Sequence, residues 1–198
     1  MNIDPTNVSA DQNYKLITGL IVPRPVAWIT TLSENGAVNL APFSAFAQVT
    51  HVPPLLMVTV GKRGKVRKDT GLNIIATREF VVNIATFEDV DDVHASSVDL
   101  PYGDSEVDRL GLATVPSSVV GVPRLAHVPA AMECRLREAI DYEDADSIIF
   151  VADVVQFYVR DDLLRDGKVG TRDLDPVARL GGPNYAGLGR FKTVKPAN

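Results

Sequence analysis

Two stretches of the chain concentrate residues able to hold an anion. Gly61–Thr70, GKRGKVRKDT, carries Lys62, Arg63, Lys65, Arg67 and Lys68, which is five cations in ten residues against one acid, Asp69. Asp69-Thr70 has the signature of a helix N-cap, followed by Leu72, Ile75, Ala76 and Phe80 at helical spacing. A helix starting there points free N–H groups, and the favourable end of its dipole, at whatever anion the cations attract. The GxxxxGK[ST] pattern is absent, so this is not a Walker loop. Pro23–Ser44, PRPVAWITTLSENGAVNLAPFS, adds Arg24, Thr30, Thr31, Asn39 and Ser44, more polar groups than a core hairpin needs. Hydroxyls on Thr30 and Thr31 suit phosphate oxygens. Pro42 has no N–H, so its strand ends there or lies at an edge, which frees peptide groups around Asn39, Leu40 and Ala41. Singly, each feature is as well explained by a solvated turn or an ordinary strand. Together they point to a phosphorylated cofactor, held partly by backbone.

Side-chain catalysis finds no support beside this. His51, His94 and His127 form no HxH or HxxxH pair, and Cys134 has no CxxC companion, which argues against zinc. Cys134 lies mid-strand in AAMECRL and reads as a small core residue. A GxSxG elbow is also missing. A cofactor that carries the reaction itself, as a flavin does, needs no protein nucleophile.

The elements that must position these residues are mostly strands. Val26–Leu32 and Ala37–Ala41 flank Asn35-Gly36, whose type I′ signal predicts a two-residue hairpin. Further strands are expected over Phe43–Thr50, Leu55–Val60, Phe80–Ala85, Ala130–Asp141 and Ser147–Val159. Short helices are expected over Asn13–Leu20, Glu88–Ser96 and Ser105–Leu110, and turns at Asp166-Gly167 and Gly181–Asn184. Strands that do not alternate with long helices favour a closed or half-closed antiparallel barrel, mainly β with inserted helices. At 198 residues the chain is expected to be a single domain, with residues 1–13 as an N-terminal arm and 186–198 as a tail.

Bulk chemistry narrows the partners. A net charge of −5 excludes a broad basic face for nucleic acid or membrane. One cysteine, no apolar run of bilayer length and a polar N-terminus lead us to expect a cytoplasmic protein.

The residues PRPVAWITTLSENGAVNLAPFSAF, with N-L-A-P-F-S at their end, resemble the opening of the flavin reductase-like, FMN-binding split-barrel family of flavoredoxin type. PPLLMVTVGKRGKVRKDTGLNI resembles that family's strand leading to K-D-T and a helix, and PVARLGGPNY its closing segment. The resemblance runs from about Tyr14 to Tyr185. It implies a six-stranded Greek-key barrel that forms a homodimer with FMN near the interface. Arg24, Thr30, Asn39, Leu40, Ala41 and Ser44 would line the flavin, Lys62, Lys68, Asp69 and Thr70 would serve its phosphate, and Tyr185 would pack near the ring. It further implies hydride transfer from NAD(P)H to flavin and on to an acceptor, such as a partner monooxygenase. A non-catalytic FMN carrier would share the same site. Two departures concern substrate: Phe46-Ala47-Gln48 replaces a second aromatic, and Asp153 stands in a strand where H-x-x-G-E is common.

Overall fold

The computed structural model describes residues 1–64 and 66–194, the side chain of Arg63 excepted. Helix α1 (Ala10–Leu20) starts with a capping box in which Ser9 Oγ accepts from Gln12 N and Gln12 Oε1 accepts from Ser9 N. No residue of α1 is buried. The main sheet is built from β1 (Ala27–Leu32), β2 (Val38–Phe43), β3 (Phe46–His51), β4 (Pro54–Arg63), β5 (Glu79–Ile84), β6 (Ala130–Asp141) and β7 (Ser147–Val159). These pair antiparallel in the order β2-β1-β5-β6-β7-β4-β3, and Val66–Arg67 pairs with β4 as an eighth strand. The count of six is therefore corrected to eight. The strand expected over Phe43–Thr50 forms as the edge strand Phe46–His51, and the basic loop folds back on β4.

The two ends of this order, β2 and β3, are consecutive in sequence, with only Ser44 and Ala45 between them. The chain thus leaves one edge of the sheet and enters the other, which curls the sheet into a barrel. Thr59 N donates to Ala45 O at 2.8 Å and ties this corner to β4.

Alternation along the strands separates two cores. Ile29, Phe80 and Val82 join Val58, Cys134 and Phe150 on one face, while Trp28 and Val81 join Val93, Val107 and Leu125 on the other. A strand such as Phe80–Ile84 reads as a continuous apolar run because both of its faces are covered. Cys134 is fully buried, and burial pushes its thiol far above the titrating range.

Two local expectations change. The β1–β2 turn is not type I′, because only Gly36 has positive φ, at 84°. Gly36 N donates to Ser33 O at 2.9 Å and Ser33 N to Ala37 O at 3.0 Å, which is a type I turn closed by a glycine in a three-residue loop. Asn35 stays at negative φ because its Oδ1 accepts from Ala37 N and Ser33 Oγ. Helix α2 (Asp69–Thr77) has Lys68, not Asp69 or Thr70, at its N-cap, and no side chain caps it. It buries Thr70, Gly71, Asn73 and Ile74 instead of the expected Leu72-Ile75-Ala76 face. The reason is polar: Asn73 Nδ2 donates to Thr31 Oγ1 at 3.0 Å, so α2 meets the sheet through its amide. Two more short helices, α3 (Val90–Ala95) and α4 (Glu106–Leu110), lie in the segment between β5 and β6.

Candidate functional site

Strand β2 is the edge from which the site is built. Its pairing with β1 runs through Ala41 and Pro42 to Phe43, so Pro42 does not end it. Val38 O accepts from Ser105 Oγ at 2.7 Å, and Leu40 N donates to Glu106 Oε2 at 2.9 Å. Both contacts point away from β1, so alternation turns Pro42 outward as well, where a missing N–H costs no ladder bond. The freed peptide at Leu40 is thus occupied by α4 rather than left for a ligand.

A small pocket of about 70 Å³ lies between this edge and the start of α2, lined by Asn39, Ala41, Lys68, Asp69, Thr70 and Glu106 among others. It has room for about two waters, or one phosphoryl group. Asn39 Nδ2 donates to Thr31 Oγ1 at 3.2 Å and to Thr70 Oγ1 at 3.0 Å. Thr70 therefore spends its oxygen on Asn39 and keeps its proton to give. The uncapped turn of α2, the Thr70 hydroxyl and Lys68 form a donor set for an anion. Burial raises the pKa of Glu106, and the Asp69 charge adds to that rise, so the acid on the opposite wall is more readily neutralised.

A second cleft of about 580 Å³ adjoins this pocket, and Pro42, Phe43 and Ser97 line both. Its volume suits a cofactor-sized ligand. Tyr14 and Ile17 of α1, with its C-cap Ile21, form one wall, and Phe43–Ala47 with Met57 and Thr59 form another. Arg24, His94, Arg179 and Tyr185 complete the rim. The residues of the departure at Phe46-Ala47 do face the cleft, whereas Asp153 is held outside it by Arg137 at 2.5 Å.

The expected site residues divide accordingly. Arg24, Ser44 and Tyr185 reach the cleft, and Asn39, Ala41, Lys68, Asp69 and Thr70 reach the pocket. Thr30, Thr31, Leu40 and Lys62 reach neither. Thr30 is fully buried and donates to Pro123 O at 2.7 Å. Thr31 is turned to Asn39 and Asn73. Lys62 Nζ pairs with Asp141 at 2.5 Å, and Arg67 approaches the same carboxylate at 3.4 Å, so two of the basic loop's cations serve the β6–β7 end. Lys65 lies outside the described residues. Glu106, His94, Ser97 and Arg179 were not among the expected site residues. Their one sequence signal was position, in the segment between β5 and β6 and in the closing PVARLGGPNY. Among the described residues, no group of three His, Cys, Asp or Glu side chains could hold a metal ion.

Comparison with known proteins agrees with the fold. Nitrilotriacetate monooxygenase component B from Bacillus cereus superposes with a TM-score of 0.95 at 36% identity, covering 98% of each chain. The 2-nitrobenzoate 2-nitroreductase NbaA of Pseudomonas fluorescens superposes at 0.89 with 33% identity, covering 99% of this chain and 96% of that one. A flavin reductase with a split-barrel domain from Shewanella frigidimarina shares the fold at 0.87 and 20% identity, covering 100% of both chains. Residues 19–173 match the flavin reductase like domain, and the chain belongs to that family.

Proposed function

We propose that this chain is an NAD(P)H-dependent oxidoreductase that binds FMN, with the flavin in the large cleft and its phosphate at the start of α2. The observation that carries the reading is a 580 Å³ cleft that shares Pro42, Phe43 and Ser97 with one small donor-lined pocket, whose size suits a single phosphate. Bound flavin would supply the redox chemistry, taking hydride from NAD(P)H and giving electrons to an acceptor. The chain's own work is to hold and shield. Lys68 neutralises the phosphate and Thr70 donates its hydroxyl proton to it, while β2 and the Ser44 corner set the depth of the ring. Tyr14, Ile17 and Ile21 form an apolar wall that keeps water from one side.

Apolar residues left in solvent support a homodimer across the cleft. Along α1 and its C-cap, Tyr14 is 64%, Ile17 58% and Ile21 59% exposed, and Val49 on edge strand β3 is 49% exposed. Sedimentation of the FMN-loaded protein is expected to give twice the monomer mass.

Fluorescence titration with FMN, followed by NAD(P)H consumption above the free-flavin background, tests the proposal. No FMN binding would overturn it, and binding without turnover would leave a flavin carrier. The similarity to a monooxygenase component B and to a nitroreductase supports two acceptor classes, a partner monooxygenase or a small oxidant. Reduction of a nitroaromatic by the protein alone would favour the second.

A further inference from the structure

We propose that Arg179, with Tyr185 and His94, forms a second oxyanion-binding subsite on the cleft, which reads a carboxylate or phosphate on the substrate and not the flavin phosphate. The proposal rests on the cleft's assignment to flavin only for the identity of the neighbouring ligand. Its geometry stands alone.

The short strand Arg24–Pro25 pairs antiparallel with Ala178–Arg179, and the register sets Arg24 directly opposite Arg179. Both arginines line the cleft. Like charges facing each other across a strand pair are unfavourable, and among the described residues neither has a carboxylate partner. The two differ in what they have left to give. Arg24 donates to Ser44 Oγ at 3.1 Å, to Thr18 O and Ile21 O at 2.6 Å each, and to Leu180 O at 3.0 Å. Four of its five N–H groups are spent on fixing the chain. Arg179 donates from Nη1 to Tyr185 Oη and from Nη2 to Gly182 O at 2.7 Å. Three of its five donors remain, in the planar fork that suits a carboxylate or phosphate.

The group is also held ready. The Arg179 guanidinium lies 4.5 Å from the Tyr185 ring centre, which fixes its plane. The turn that carries both is closed by Leu180 N donating to Asn184 O at 2.9 Å and Asn184 Nδ2 to Gly181 O at 2.8 Å. Because Tyr185 Oη accepts from Arg179, its proton is available to a ligand. His94 stands edge-on to the Tyr185 ring, with Nδ1 3.5 Å from its Oη, too long for a strong bond. None of Arg179, Tyr185 and His94 lines the pocket at the start of α2. The Arg179 group and the pocket at the start of α2 are therefore two separate places able to read an anion, and a mononucleotide has one phosphate.

Calorimetric titration of the purified protein, with and without FMN, tests this with benzoate, its neutral analogue benzamide, and inorganic phosphate. An Arg179 subsite is expected to favour an anion over benzamide by about tenfold or more. A benzoate preference indicates a carboxylate substrate, and a phosphate preference a phosphorylated one. Arg179→Gln is expected to abolish the discrimination, while Tyr185→Phe, which keeps the ring under the guanidinium, weakens it in a folded protein. Lys68→Ala should leave the benzoate preference intact, because it removes only phosphate binding at the start of α2. Equal binding of benzoate and benzamide, or a benzoate or FMN-saturated phosphate preference that survives Arg179→Gln, overturns the proposal. Failure to bind FMN with anion discrimination retained would instead defeat the flavin assignment alone.

Discussion

The Leu40 backbone N–H donates to Glu106 Oε2 at 2.9 Å, joining the edge of the barrel to a helix 66 residues further along the chain. This carboxylate lines, with Lys68, the small pocket at the start of α2. Its placement ties together edge protection, anion affinity and pH response.

Burial raises the Glu106 pKa above 4.5, with Asp69 adding to the effect and the Leu40 N–H opposing it. An acid with a raised folded pKa binds its proton more tightly in the folded state than in the unfolded one. The folded state then holds more protons above pH 4.5, and stability falls as pH rises from there through the folded pKa. Glu106→Gln keeps an oxygen for Leu40 and removes the titration. Urea unfolding across this range is expected to show a decline in the native protein that the variant lacks. Parallel curves would show that Glu106 is not its source.

Lys68 is the one described cation of the basic loop that lines the pocket proposed to take the phosphate. Loss of a charge-assisted contact of about 1.5–3 kcal/mol predicts that Lys68→Ala weakens FMN binding by roughly 10- to 100-fold. Riboflavin, which has no phosphate, should change by less than about twofold. Equal losses for both ligands would remove Lys68 from the phosphate site. In the same titration, Glu106→Gln should bind FMN more tightly, because one negative charge leaves the pocket.

The barrel was legible where local pattern and tertiary demand agree. The hairpin Ala130–Asp141 and Ser147–Val159 matches its sequence-derived bounds because long alternating strands define their own faces. Helix α2 was misread because its buried face contains Thr70 and Asn73, whose value lies in bonds to Asn39 and Thr31 on distant strands. The same holds for the site. Lys68, Asn39 and Ser44 could be named because they share short stretches with obvious chemistry. Arg179 and Glu106 reach their places through pairings across 155 and 66 residues, as with Arg24↔Arg179 and Leu40 to Glu106, and no local spacing encodes them.

Glu133 is buried and receives three backbone amides, from Ser118 and Val119 at 2.7 Å each and from Val120 at 3.1 Å. It folds the Ser118–Gly121 loop onto β6, and Gly121 N adds a bond to Glu79 Oε2 at 2.7 Å. Removing the charge from an acceptor of three amides, of which that of Val120 is buried, costs about 2–3 kcal/mol. Glu133→Gln should lower the unfolding free energy by that amount, with Glu133→Ala costing more. A Glu133→Gln protein that unfolds at the native midpoint would show that the loop finds other acceptors.

Trp28 is the chain's single tryptophan, and its ring meets His127 edge-on with centroids 6.0 Å apart. His127 Nε2 lies 3.1 Å from Asp89 Oδ1, and this bond raises the imidazole pKa above 6.5. Burial works to raise the Asp89 pKa, but the bonds from His127 and Thr86 outweigh it and hold the pKa below 3.8. The signs follow by linkage. The raised histidine contributes stability that is full below its unfolded pKa and is lost as pH rises through its folded pKa. The lowered aspartate contributes stability present above its unfolded pKa and lost as pH falls through its folded one. The pair is therefore intact at mildly acidic pH and weakens as pH rises past the histidine's raised value. With flavin removed, Trp28 emission should follow this titration with a midpoint above 6.5, and His127→Asn should abolish it. Emission that does not change with pH, or that titrates identically in His127→Asn, would separate Trp28 from the His127–Asp89 pair.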